Sequence, residues 1–215
     1  MGRRPAGKEC CLYIWLGEGI GAGIIINGDI YRGITSSAGE VGYTEISARG
    51  INRGKYPILY QDQRRFGEIL TTPHLEFSMQ QAVSANGRMT TLRNTEINLQ
   101  SIATAAKDDD PLALDALNEF GEILGILTIG VINFFNPELI IMGGPVIDKC
   151  PMVLDAAVRC AKADVLMIPA EVVQIKAGAL KNRAGTLGAV GMVLQDLFKP
   201  PIVNLATYRS LILPE

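Results

Sequence analysis

Apolar and polar positions follow two different periods along the chain. In the first thirty residues the apolar side chains come in short runs broken by glycine. Cys11-Leu-Tyr-Ile-Trp-Leu16 is too short for a helix and rich in aromatic and branched side chains, which predicts a buried strand. Glycines at 17, 19, 21 and 23 lead into a second apolar stretch, Ala22 to Ile26, and Asn27-Gly28 separates it from Asp29-Ile-Tyr-Arg32. Asn-Gly between two β-prone runs predicts a type I′ hairpin, because both central residues of that turn need positive φ. The first fifty residues therefore read as consecutive antiparallel strands.

After Thr71 the period lengthens. Thr72-Pro73 reads as an N-cap followed by proline at the first helical position. Leu75, Met79 and Val83 follow at four-residue steps, and Gly87 predicts the stop. A second helix is expected from Glu96 to Lys107. Asp108-Asp-Asp110-Pro111 predicts the start of the longest helix, since acids suit the positive end of the helix dipole. That helix should end at Asn136-Pro137, because a residue preceding proline avoids the α region. Leu139 to Met142 reads as an apolar strand running into Gly143-Gly144, followed by a helix around 152–162. A strand at 171–175 and a helix at 184–198 complete the pattern, stopped by Pro200-Pro201.

Antiparallel strands, then helices, then strand-helix-strand-helix is the order of an α/β fold of the ribonuclease-H-like kind. It forms one lobe of the actin and hexokinase type of ATPase: a mixed sheet with an antiparallel hairpin, then β-α-β-α, and helices on both faces. The expected division is a lobe over 1–198, with sheet core 11–50, helical insert 62–110 and βαβα unit 111–198. A C-terminal tail over 199–215, apolar at Ile202, Val203, Leu205, Leu211 and Leu213, follows.

Composition narrows the function classes. The 20 basic and 22 acidic residues leave a net charge of −2 with no basic stripe, which removes the electrostatic argument for direct nucleic-acid or membrane binding. The longest uncharged apolar run, 123–137, falls short of the roughly 20 residues of a membrane helix. Four cysteines without a Cys-X-X-Cys pair predict buried thiols in a reducing, cytoplasmic setting. The 23 glycines exceed the usual share of about 7%. Many of them sit where open α/β sheets bind ligands, at the carboxyl ends of strands, where backbone N–H groups can approach an anion. Gly17, Gly19, Gly21 and Gly23, with Gly143 and Gly144, occupy such positions.

Four segments together carry a more specific signal. They are Gly19-Ile-Gly-Ala-Gly-Ile-Ile-Ile-Asn-Gly28 with Tyr31 and Gly33; Ala38-Gly-Glu-Val-Gly42; Asn136-Pro-Glu-Leu-Ile-Ile-Met-Gly-Gly144; and Ala184-Gly-Thr-Leu-Gly-Ala189. In order and spacing they resemble the C-terminal lobe of the ROK family (repressors, open reading frames and sugar kinases) over roughly residues 11–198.

The resemblance implies roles that this chain keeps only in part. Family kinases contact ATP phosphates through a Gly-Thr-Gly turn, so the resemblance makes Gly17, Glu18, Gly19 and Gly21, with Gly143 and Gly144, the nucleotide-site-like residues. Here the turn reads Gly17-Glu18-Gly19, and a carboxylate facing a triphosphate adds like-charge repulsion. The family holds a structural zinc with a His after Ala-Gly-Glu-X-Gly and a cluster of three Cys. Here the His position is Tyr43, no Cys occurs between Cys11 and Cys150, and His74, the single His, reads as an ordinary early-helix residue. Family kinases also carry a first phosphate loop and an Asp general base in an N-terminal lobe, ahead of the segment matched here. The expectation is therefore no catalytic residue, no zinc, and ATP with Mg²⁺ only if the chain is part of a kinase. Sugar contact remains, through Glu40, Tyr43 in place of the His, and Glu68 as the second family carboxylate. The implied function is the sugar-sensing effector domain of a ROK-type transcriptional regulator, acting as a homodimer. DNA would be bound by a separate N-terminal domain. The alternative is the C-terminal lobe of an ATP-dependent glucokinase or N-acetylmannosamine kinase.

Overall fold

Branched and aromatic side chains at every second position make Cys10–Leu16 (β1) an extended strand, and Leu12, Ile14 and Leu16 all point into the core. A computed structural model of the chain describes residues 10–46, 51–85 and 87–198. β1 pairs antiparallel with Ile20–Ile26 (β2), which turns through Asn27 and Gly28, at φ 53° and 86°, into the short strand Asp29–Ile30 (β3). Both φ values are those that the Asn-Gly hairpin requires. On its other side β1 pairs in parallel with Leu139–Gly143 (β4), which pairs in parallel with Gln174–Ala177 (β5). The mixed sheet thus runs β3-β2-β1-β4-β5, the α/β architecture expected from the order of elements.

The helices are Phe66–Ile69 (α1), Thr72–Ser84 (α2), Leu99–Lys107 (α3), Pro111–Phe135 (α4), Pro145–Lys149 (α5), Pro151–Asp164 (α6), Met167–Val172 (α7) and Ala184–Phe198 (α8). α4 is the spine of the core. Asp110 caps it by accepting from the Leu112 and Ala113 amides, and Asn136 ends it in the left-handed region at φ 42°, immediately before Pro137. Its buried side chains share one apolar cluster with Leu12, Ile14, Leu16, Ile140, Met142 and the inner face of α6. Two compact units divide the chain, one up to Lys181 and one from Asn182 that contains α8. Among the described residues no helix is long and apolar enough to cross a membrane.

Several boundaries differ from the sequence reading, each for a local reason. Thr71, not Thr72, caps α2, because its hydroxyl accepts from the His74 amide at 3.2 Å, which places Pro73 one position further in. α2 stops at Ser84 with Ala85 as its C-cap, two residues before Gly87. α3 begins at Leu99 rather than Glu96, because Asn98 and Ser101 form a reciprocal capping box. Glu171 and Val172 belong to α7, and the last strand starts only at Gln174. Cys10 and Cys11 are half-buried rather than fully buried, with burial raising the Cys10 thiol above its ordinary pKa. The tail over 199–215 lies outside the described residues.

Candidate functional site

The parallel pairing of β1 with β4 sets Trp15 opposite Gly143, so the turns that follow both strands meet at one sheet edge. Gly17 donates its amide to the Gly19 carbonyl at 2.9 Å, closing the Gly17-Glu18-Gly19 turn, and Glu18 is exposed in that turn. A β-carbon on Gly144, at φ 114°, would overlap the Leu16 carbonyl, so only glycine fits where β4 leaves the sheet beside this turn. The nucleotide-site-like residues of the sequence reading are therefore brought together.

The Ala38-Gly-Glu-Val-Gly42 segment docks on β2. Ala22 donates its amide to the Gly39 carbonyl at 2.8 Å, and Val41 donates to the same oxygen at 2.7 Å. Residues Val41–Tyr43 then form one 3-10 turn, with the Tyr43 amide donating to the Glu40 carbonyl at 3.1 Å. Gly42 and Gly67 lie back to back: a β-carbon on Gly67 would stand 3.0 Å from the Gly42 carbonyl oxygen. Side chains on either residue would push this turn and α1 apart. Their absence brings Tyr43, Arg65 and Glu68 around one cleft.

That cleft has a volume of about 300 Å³ and is lined by Gly19, Ile20, Gly42, Tyr43, Arg65, Gly67 and Glu68. The Arg65 guanidinium lies 5.0 Å from the centre of the Tyr43 ring, within cation–π range. Glu68 accepts the Arg64 amide at 2.9 Å. The Arg64–Phe66 backbone is sewn to residues 44–46: Phe66 donates to Thr44, Ile46 donates to Arg64, and Glu45 bridges Arg65 antiparallel. Of the three sugar contacts expected from the sequence, Tyr43 and Glu68 line the cleft. Glu40 is exposed one turn away and is not among the lining residues. Arg65 has no signature in the sequence, because its partner lies 22 positions back and no local pattern links the two.

The zinc that the resemblance implies does not fit these residues. The position after Gly42 is Tyr43, the segment between it and Phe66 contains no Cys or His, and no described group of three His, Cys, Asp or Glu converges.

The ROK family model matches residues 4–196. The chain belongs to the ROK family. Among curated ROK relatives it is 30% identical over 150 residues to the xylose repressor of Bacillus subtilis, covering 67% of this chain and 34% of that protein. It is 28% identical over 198 residues to the glucokinase of Halalkalibacterium halodurans, covering 88% of this chain and 58% of that protein. The crystal structure of a ROK family glucokinase from Streptomyces griseus with glucose and AMPPNP superposes at TM-score 0.70. It is 25% identical and covers 88% of this chain and 62% of that one. The chain thus spans about a third to a half of the curated xylose repressors it matches. Both regulators and kinases of the family are among its relatives.

Proposed function

We propose that this chain is the sugar-sensing lobe of a ROK-type transcriptional regulator and performs no phosphoryl transfer itself. The observation that carries the reading is Glu18, exposed in the turn where the family's kinases present a threonine to phosphate. A carboxylate there opposes a triphosphate by charge, while the neighbouring cleft keeps the groups that suit a sugar. Glu68 accepts hydrogen bonds from hydroxyls as an ionised acceptor, Arg65 donates, and the Tyr43 ring offers a face to the apolar side of a pyranose. Glu40 adds a second carboxylate at the rim. Neither zinc nor a nucleotide is assigned to the lobe. The sugar would act by binding one of two states of a homodimer more tightly, biasing a separate DNA-binding domain. Relatives named as xylose and N-acetylglucosamine repressors support this reading.

The second reading, one lobe of an ATP-dependent sugar kinase, is favoured by the glucokinase match over most of this chain. Titration calorimetry of the full-length protein separates the two. With D-xylose, D-glucose, N-acetylglucosamine and N-acetylmannosamine, at least one sugar should give heat. AMPPNP should bind weakly, and Glu18→Thr should tighten it by about tenfold, the equivalent of about 1.4 kcal/mol. Silence from every sugar with operator binding unaffected, or hexose phosphorylation with no gain from Glu18→Thr, would overturn the proposal.

A further inference from the structure

Arg65, Gly67 and Glu68 line one wall of the cleft, at the end of a strap over the described residues 51–68 that includes no set able to hold a metal. What fixes this wall instead lies on α2 and α4. Ile51, Tyr56, Ile58 and Leu59 are buried at 5% exposure or less, which ties the strap to the core. Its backbone is then gripped by a carboxylate. Glu119, on the buried side of α4, accepts the Ile58 amide at 3.0 Å and the Leu59 amide at 2.9 Å through the same oxygen, Oε2. At the carbonyl of the same residue His74, in the first turn of α2, places Nε2 at 2.8 Å from the Leu59 oxygen. A carbonyl can only accept, so Nε2 carries the proton. The Leu59 residue is thus held at both ends, its N–H by α4 and its C=O by α2. Six residues later the same chain supplies Arg65, and nine residues later Glu68.

We infer that Glu119 and His74 are positioning residues for the Tyr43–Arg65–Glu68 cleft, clamping the backbone of Leu59 in place of a metal. Neither side chain lines the cleft; both act through the strap. A buried carboxylate that accepts two backbone amides is a costly group to keep unless the geometry it fixes is used. The inference rests on the sugar reading only for what the cleft binds, and its test separates the two.

The test compares the full-length protein with Glu119→Gln, His74→Ala and His74→Gln at pH 8, above the Glu119 pKa of about 7. Glu119→Gln replaces the charged acceptor that both amides share with a neutral amide oxygen, a weaker acceptor for the same two N–H groups. Amide hydrogen exchange over 58–68 should quicken at least tenfold in this variant. Tryptic nicking after Arg64 and Arg65 should rise in parallel, with exchange in α6 unchanged. His74→Ala removes the donor to the Leu59 carbonyl while leaving the carboxylate intact, and should give the same local change to a smaller extent. His74→Gln, whose side-chain amide can donate from near the place of Nε2, should restore most of the protection. Whichever sugar binds the unaltered protein in the panel above should bind Glu119→Gln about tenfold more weakly. Loosening of 58–68 without any sugar binding the unaltered protein supports the clamp and removes only the sugar reading. Unchanged exchange and nicking in a folded Glu119→Gln or His74→Ala would overturn the clamp, as would equal loosening in α6.

Discussion

Gly39 shows how much of the site depends on single atoms. Its φ is 94°, and a β-carbon there would overlap the Ala22 carbonyl oxygen, the backbone on which the whole Ala38–Gly42 loop is docked. Gly39→Ala should cost about 3 kcal/mol, combining left-handed backbone strain with an overlap that β2 cannot relieve, and urea unfolding would register it. Glu119 makes a prediction of opposite character. Burial raises its pKa from 4.5 to about 7, against the lowering effect of the Leu59 and Ile58 amides and of Arg88, while Asp115 adds to the rise. The folded protein therefore binds a proton more tightly than the unfolded chain between those values. The stability contributed by this group is complete below about pH 4.5 and is lost as pH rises through 7. The loss is on the order of 2 kcal/mol after discounting for partial solvent access. Glu119→Gln should flatten this segment of the stability–pH curve, measured by denaturant midpoints between the two pKa values and one pH unit beyond.

At the scale of elements, α4 and α6 cross closely because two glycines allow it. A β-carbon on Gly121 would stand 2.5 Å from the Ala156 β-carbon, and one on Gly125 would stand 2.5 Å from that of Cys160. Gly130 on the same helix has open space around it. Gly125→Ala should therefore destabilise by about 2 kcal/mol through overpacking, whereas Gly130→Ala should stabilise by about 1 kcal/mol through helix propensity alone. Paired thermal melts check both signs. The same contrast between local and distant causes explains what the sequence can reveal. Asn27-Gly28 and Asn136-Pro137 are legible because their chemistry is complete within two residues. The start of α3 is harder to read because Asn98 and Ser101 cap each other more effectively than any charge upstream. The strand expected at 171–175 gives way to helix because Ile168 to Ile175 is a mostly apolar run, and α7 takes the first part of it. Tyr43 and Glu68 are legible through the family motifs. Arg65 and the Glu119 grip are not, since each is defined by a partner 22 or some 60 residues away in the chain.

For the whole molecule, the fold and the membership of the ROK family follow from the order of elements and the four Gly-rich segments, whereas the proposed regulatory role rests on a few departures within them. The replaced zinc position predicts that prolonged EDTA treatment leaves the melting temperature of the full-length protein unchanged. A bound structural metal would make that temperature fall by several degrees. The sheet also has a practical consequence. Trp15, the single tryptophan, stacks near Tyr13 at 6.5 Å between ring centres, and its indole nitrogen lies directly beside Gly17. A native fluorophore is thus built into the floor of the turn that carries Glu18, and Gly19 of that turn also lines the cleft. Emission from Trp15 offers a label-free optical gauge of occupancy, able to tell a molecule settling at Gly19 from one that never arrives.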